Sequence, residues 1–109
     1  MLISFSTLIV ASQLIISVAD TVPNFDIERG CKIDSASAFD PNAGLNATIK
    51  RCSDDEQAAK DQLPPLWSQS LPSDKKMCMG LTTADDPPSY VVLLTCLEGQ
   101  QLVQKRPKD

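Results

Sequence analysis

The sequence predicts a mainly α-helical fold: a small disulfide-stapled helical domain of about four helices, two long and two short, after an N-terminal signal peptide. An uncharged apolar segment begins the chain of 109 residues, and all four cysteines follow that segment. In the remainder, apolar residues recur at spacings of three and four, as they do on one side of a helix. A chain of this length fits one domain, so we expect residues 1–19 to be the signal peptide and residues 20–109 to be the helical domain.

The first segment ends in Ser17-Val18-Ala19, a small-x-small pattern typical of signal peptidase sites. It lacks the Lys or Arg that normally begins a signal peptide. Two alternatives stay open, a buried element of the fold and a retained anchor, since about 19 apolar residues are near the lower limit for crossing a bilayer. We predict a periplasmic or secreted protein that contacts a membrane only if this segment is uncleaved.

The cysteines are Cys31, Cys52, Cys78 and Cys96, and an even count in a short exported chain indicates disulfides. A domain of this size buries a modest core, and each bond could contribute on the order of 3 kcal/mol by restricting the unfolded chain. A long helix after Cys52 carries it away from the following turn, which disfavours Cys52–Cys78. The first choice is therefore Cys31–Cys52 with Cys78–Cys96, and the pairing Cys31–Cys78 with Cys52–Cys96 stays open.

Two helices are expected in the first half of the domain. Residues 25–31 predict a short helix, and the small polar residues 33–44 predict a loop. A longer helix should begin near Asp40-Pro41 or Asn42 and stop or bend at Pro64-Pro65. Its evidence is one apolar stripe at helical spacing: Leu45, Ile49, Cys52, Ala59, Leu63 and Leu66.

The second half predicts a short and a long helix. Pro72 can begin a helix that runs through Cys78, and residues 80–88 predict a loop in which Asp85-Asp86 caps the last helix. That helix should run from Ser89 to Leu102, with Tyr90, Leu93, Leu94 and Leu97 on one side. A strand is the alternative, because three residues of this segment, Val91, Val92 and Thr95, are β-branched.

The sequence offers little catalytic chemistry. It has no histidine, which removes Ser-His and Cys-His pairs and histidine metal ligands, and no two cysteines have the C-x-x-C spacing. Asp54-Asp55-Glu56 is read as a solvated helix face, because consecutive helical residues do not converge on one ion. Met77-Cys78-Met79 could offer soft metal donors, but core packing and a disulfide are the preferred interpretation. We therefore predict no catalytic, cofactor-binding or metal-binding residue and no cofactor.

A partner surface is expected near Trp67, the single tryptophan, and Tyr90 on the last helix. The alternative for Trp67 is a place in the core beside Leu63 and Leu66. The net charge of −4 and the absence of a basic patch predict no nucleic-acid binding.

Several segments carry a resemblance when their order and spacing are taken together: residues 25–31, 52–63, 66–69, 72–75 leading to Cys78, and 88–98. With these segments the chain resembles small exported proteins of unknown function from rhizobial alpha-proteobacteria. Two features depart from that pattern, Pro64-Pro65 and Gly99. The resemblance implies export and a cysteine framework, and no activity. A more distant likeness is to periplasmic lysozyme inhibitors of a four-cysteine helical type, although the cysteine spacing differs.

These observations predict an exported, non-enzymatic binding or accessory module, with a periplasmic or extracellular protein as the expected kind of partner. The alternatives are a periplasmic protein similar to a lysozyme inhibitor, and a carboxylate- or thiol-based enzyme. A thiol enzyme would need at least two cysteines that cycle between oxidised and reduced states.

Overall fold

The computed structural model describes residues 21–37, 41–42 and 44–106. These residues form four helices and no strand: α1 (Ile27–Ser37), α2 (Leu45–Gln69), α3 (Pro72–Ala84) and α4 (Tyr90–Gln104). The mainly α-helical, disulfide-stapled fold is confirmed. Residues 1–19, predicted as the signal peptide, lie outside the described residues. Within the described ranges, none of the helices has the length and apolar character needed to cross a membrane.

The longest helix, α2, lies at the centre of the fold. Helices α1 and α4 both pack on it, and α3 packs on α4. The core lies between the C-terminal half of α2 and the α3–α4 hairpin, the two helices joined by residues 85–89. Its members repeat at spacings of three and four, as expected for helices that each bury one side. They are Ala59, Leu63, Trp67, Cys78, Tyr90, Leu93 and Leu97.

Helix α2 begins later than predicted, at Leu45 rather than near Asp40-Pro41 or Asn42. Gly44 precedes it with a φ of 81°, a left-handed conformation that glycine adopts without steric cost. Thr48 donates from its amide and its hydroxyl to the Gly44 carbonyl, at 3.2 and 3.0 Å. The glycine conformation and these two bonds set the start of the helix.

Helix α1 reaches Ser37 and so extends into the stretch predicted as a loop. Cys31 and Ser35 are four residues apart and are 1% and 2% exposed, because this side of α1 faces α2. Packing against α2 and the bond from Cys31 therefore outweigh the weak helix propensity of the small polar residues.

Helix α2 continues through Pro64 and Pro65, so the predicted stop at this pair is wrong. Each proline removes one backbone donor. Both prolines lie on the exposed side of α2, while Leu63 and Trp67 on either side are buried in the core. The core contacts on either side of the proline pair keep the helix continuous.

The hairpin differs from its prediction at the turn. Helix α3 extends to Ala84, through most of the predicted loop, because Thr82 is buried and its hydroxyl bonds to the backbone of Ser89. Ser89 caps α4, with its hydroxyl accepting from the amide of Val92 at 3.3 Å. The predicted cap at Asp85-Asp86 is therefore wrong, and so is the strand alternative. Helix α4 begins at Tyr90 and ends at Gln104, close to its predicted limits.

Candidate functional site

The four cysteines form the two bonds that were the first choice, Cys31–Cys52 and Cys78–Cys96. In both pairs the Cα atoms are 5.6 Å apart, an ordinary separation for a disulfide. The first bond joins α1 to α2 and the second joins α3 to α4. No cysteine of the described residues is free. Two such bonds indicate a chain that folds in an oxidising environment.

Trp67 and Tyr90 do not themselves form a partner surface, because they are 2% and 0% exposed. Trp67 takes the alternative place in the core, with the Lys75 ammonium 5.3 Å from its ring centroid. Any partner surface in this region has to consist of their exposed neighbours.

The Tyr90 side chain anchors the segment that precedes α1. Its hydroxyl donates to the Pro23 carbonyl at 2.8 Å and accepts from the Phe25 amide at 2.7 Å. The rings of Phe25 and Tyr90 lie 4.7 Å apart. A buried tyrosine hydroxyl needs such partners, and here both come from the backbone. Tyr90 therefore fixes the start of the domain to the start of α4.

Glu56 connects two helices, although the sequence predicts that it lies on a solvated helix face. Its carboxylate accepts from the Ser89 hydroxyl at 2.5 Å and from the Tyr90 amide at 2.7 Å. The first amides of a helix lack helical partners and carry partial positive charge, so a carboxylate there is favourable. Glu56 thus ties the middle of α2 to the N-terminus of α4.

A spacing signal for Glu56 exists in the sequence. The apolar stripe of α2 has a gap between Cys52 and Ala59, and Glu56 is four residues after the first and three before the second. Glu56 therefore occupies the buried side of the helix at the one position where the stripe is polar. Its neighbour Asp54 does lie on the exposed side, paired with Lys50 at 2.8 Å.

Exposed apolar side chains concentrate on the α3–α4 hairpin. Six of the nine exposed large hydrophobic residues in the described part of the chain belong to these two helices. Isolated exposed apolar residues are normal on protein surfaces, whereas a contiguous group marks a site of interaction. The six residues are Met77, Leu81, Val91, Val92, Leu102 and Val103.

Part of this group forms one surface, which we name the outer face: Met77 and Leu81 of α3 with Val92, Gly99 and Val103 of α4. Met77 and Leu81 are four residues apart on α3. On α4, Val92 lies four residues before Cys96, and Gly99 and Val103 lie three and seven residues after it. Each set therefore lies on one side of its helix.

The Cys78–Cys96 bond holds the two sides of the outer face next to each other. Met79 lies on the opposite side of α3 and packs against the core. The outer face therefore points away from α2. None of its five members carries a charge, and a Cβ at Gly99 would meet no atom within 4 Å.

A depression of about 220 Å³ lies between α1 and α2. The buried Ser35 hydroxyl, which has no hydrogen-bond partner, lies at this depression with Arg51, Cys52 and Asp55. An unpaired buried hydroxyl is unusual in a folded protein. The depression is open to solvent and holds charges of both signs, so its lining selects no ligand class.

The sulfur donors of Met77-Cys78-Met79 do not converge. Cys78 is bonded to Cys96, and the two methionines lie on opposite sides of α3. Among the described residues, no group of three or more Cys, Asp or Glu side chains is arranged to hold a metal ion.

One exposed ion pair joins α1 to the turn of the hairpin. The Arg29 guanidinium donates to both oxygens of Asp86, at 3.3 and 3.2 Å. These bonds and the charge of Arg29 lower the pKa of Asp86, and Asp86 raises the pKa of Arg29. Beneath the pair, Gly30 lies close to Pro87, where an added Cβ would be 3.4 Å from the Pro87 ring.

No family model, no curated protein and no solved structure matches this chain.

Proposed function

We propose that the protein is an exported, non-enzymatic binding module that docks through the outer face of the α3–α4 hairpin. The observation that carries the proposal is the outer face itself. Leu81 and Val103 are 58% and 56% exposed, although the fold has a core that buries side chains of the same kind completely. Covering an uncharged apolar surface of this type with a partner removes it from water, which is energetically favourable.

Export is supported by two observations. Two disulfides suit a chain that matures in the periplasm or outside the cell. The sequence before Asp20 is an uncharged apolar segment that ends in the small-x-small pattern typical of signal peptidase sites. A rigid frame also suits a binding role, because the Cys78–Cys96 bond and the Glu56 cap hold the outer face in shape before a partner arrives.

Site-specific photo-crosslinking in the native host tests the proposal. A benzophenone amino acid at Leu81 should give a crosslinked product in the compartment that holds the protein. The matched control is Leu45, which is 44% exposed at the start of α2 and lies outside the outer face. Crosslinking at Leu81 and not at Leu45 supports docking through the outer face. No product at Leu81, or equal products at both positions, overturns it.

A further inference from the structure

The ends of the α3–α4 hairpin carry opposite charges. At the turn, Asp85 and Asp86 are exposed, and Arg29 of α1 pairs with Asp86, so the excess negative charge there is that of Asp85. At the other end, the exposed Lys76 of α3 and the exposed Lys105 and Arg106 after α4 outnumber the carboxylate of Asp74. The hydrogen bond from Gln104 to Asp74, at 2.9 Å, shows that the start of α3 and the end of α4 meet there. The uncharged outer face lies between an acidic end and a basic end.

This arrangement is self-complementary. In a two-fold symmetric pair, every contact between residues i and j occurs twice. If two outer faces meet with α4 of one copy antiparallel to α4 of the other, each basic end lies over the acidic turn of the other copy. A parallel arrangement would bring like charges together at both ends, which is unfavourable. The antiparallel arrangement also opposes the two helix dipoles.

We propose that the occupant of the outer face is a second copy of this chain, paired through antiparallel α4 helices. This inference rests on the proposed docking role of the outer face and names its partner. Val92 of one copy lies against Val103 of the other and Val103 against Val92, with Gly99 leaving the helix surface flat between them. Apolar contact supplies the affinity, and the charged ends set the direction of pairing.

Sedimentation velocity of the purified, oxidised protein over a range of concentrations tests the pairing. The native chain should reach twice its monomer mass. Val103→Glu should weaken association by about tenfold or more, because each copy then buries an unpaired carboxylate in the apolar contact, two in the pair. Leu45→Glu, the matched control on an exposed leucine elsewhere, should leave association unchanged. A native chain that stays monomeric at every concentration overturns the second-copy proposal.

A charge-swap experiment tests the direction of pairing. Lys105→Glu with Arg106→Glu makes both ends of the hairpin acidic. Asp85→Lys makes the turn less acidic and leaves the ion pair of Asp86 intact. Each variant alone should associate more weakly than the native chain, and an equimolar mixture should recover association, because the acidic end of one then faces the altered turn of the other. A mixture no stronger than its separate components overturns the antiparallel arrangement.

The crosslinking at Leu81 separates the two proposals. A product of twice the mass of the chain supports both. A product of another mass retains the docking role and overturns the second copy. The absence of any product overturns both.

Discussion

On the inner side of the α3–α4 hairpin, Leu93 and Leu97 are 0% and 1% exposed, whereas on the outer face Val92 and Val103 are 46% and 56% exposed. All four are aliphatic residues of one helix. Their burial differs because α2 covers only one side of the hairpin. The comparison teaches that α4 has apolar residues on more sides than the rest of the chain covers. The uncovered side is therefore the natural place for a partner.

The largest expected effect follows removal of an inner side chain. Leu93→Ala should lower the free energy of unfolding by about 2–5 kcal/mol, because it leaves a cavity in the core. Val92→Ala, the neighbouring change on the outer face, should alter it by less than about 0.5 kcal/mol. Urea unfolding of both variants measures the difference. Equal losses of unfolding free energy would show that α2 does not cover one side of α4 more than the other.

The next effect concerns the disulfide between α3 and α4. Replacing Cys78 and Cys96 with alanine should cost about 3 kcal/mol, because the unfolded chain regains freedom. It should also abolish crosslinking from Leu81, since the two sides of the outer face are no longer held together. The control is alanine at Cys31 and Cys52. This bond closes a loop of similar length, with a separation of 21 residues against 18 for Cys78–Cys96. That control should lose similar stability and keep the crosslink; loss of the crosslink in both variants would contradict the account.

Glu56 links the inner side of the hairpin to α2, and its removal should have an intermediate effect. Glu56→Ala should lower the free energy of unfolding by about 1–2 kcal/mol, the usual cost of losing a helix cap. Asp55→Ala changes an exposed carboxylate next to it and should cost less than about 0.5 kcal/mol. Thermal unfolding of both proteins measures the two costs, and indistinguishable midpoints would argue against the capping role.

The smallest effect on folding is expected on the outer face. Val103→Glu should change the free energy of unfolding by less than about 0.5 kcal/mol, because the side chain already contacts water. The same variant should lose the association described above. A large loss of stability in urea unfolding at concentrations where the chain is monomeric would mean that Val103 supports the fold rather than a partner.

Much of the fold could be predicted from local patterns. The stripe on α2 and the row of Tyr90, Leu93 and Leu97 are periodic, and periodicity reports directly which side of a helix is buried. The cysteine pairing followed from the distance that a long helix places between Cys52 and Cys78. These features depend on residues close together in the chain.

The remaining features depend on contacts between distant residues. The continuation of α2 through Pro64 is decided by the core on either side of it, and the extension of α3 is decided by the bond from Thr82 to Ser89. Glu56 was visible as the polar position in the α2 stripe, yet its partner is 33 residues away at Ser89. The outer face was hidden for a related reason: the sequence shows that α4 is apolar and does not show which of its sides α2 leaves uncovered.

Oxidation of two methionines tests the central claim that the outer face is a docking surface. Met77 belongs to the outer face and is 42% exposed, while Met79, two residues later, packs against the core. In dilute purified protein, hydrogen peroxide should oxidise Met77 faster than Met79, as read by peptide mass spectrometry. In the host compartment the account predicts that Met77 becomes protected and the ratio of the two rates falls several-fold. The same ratio in both settings would contradict it.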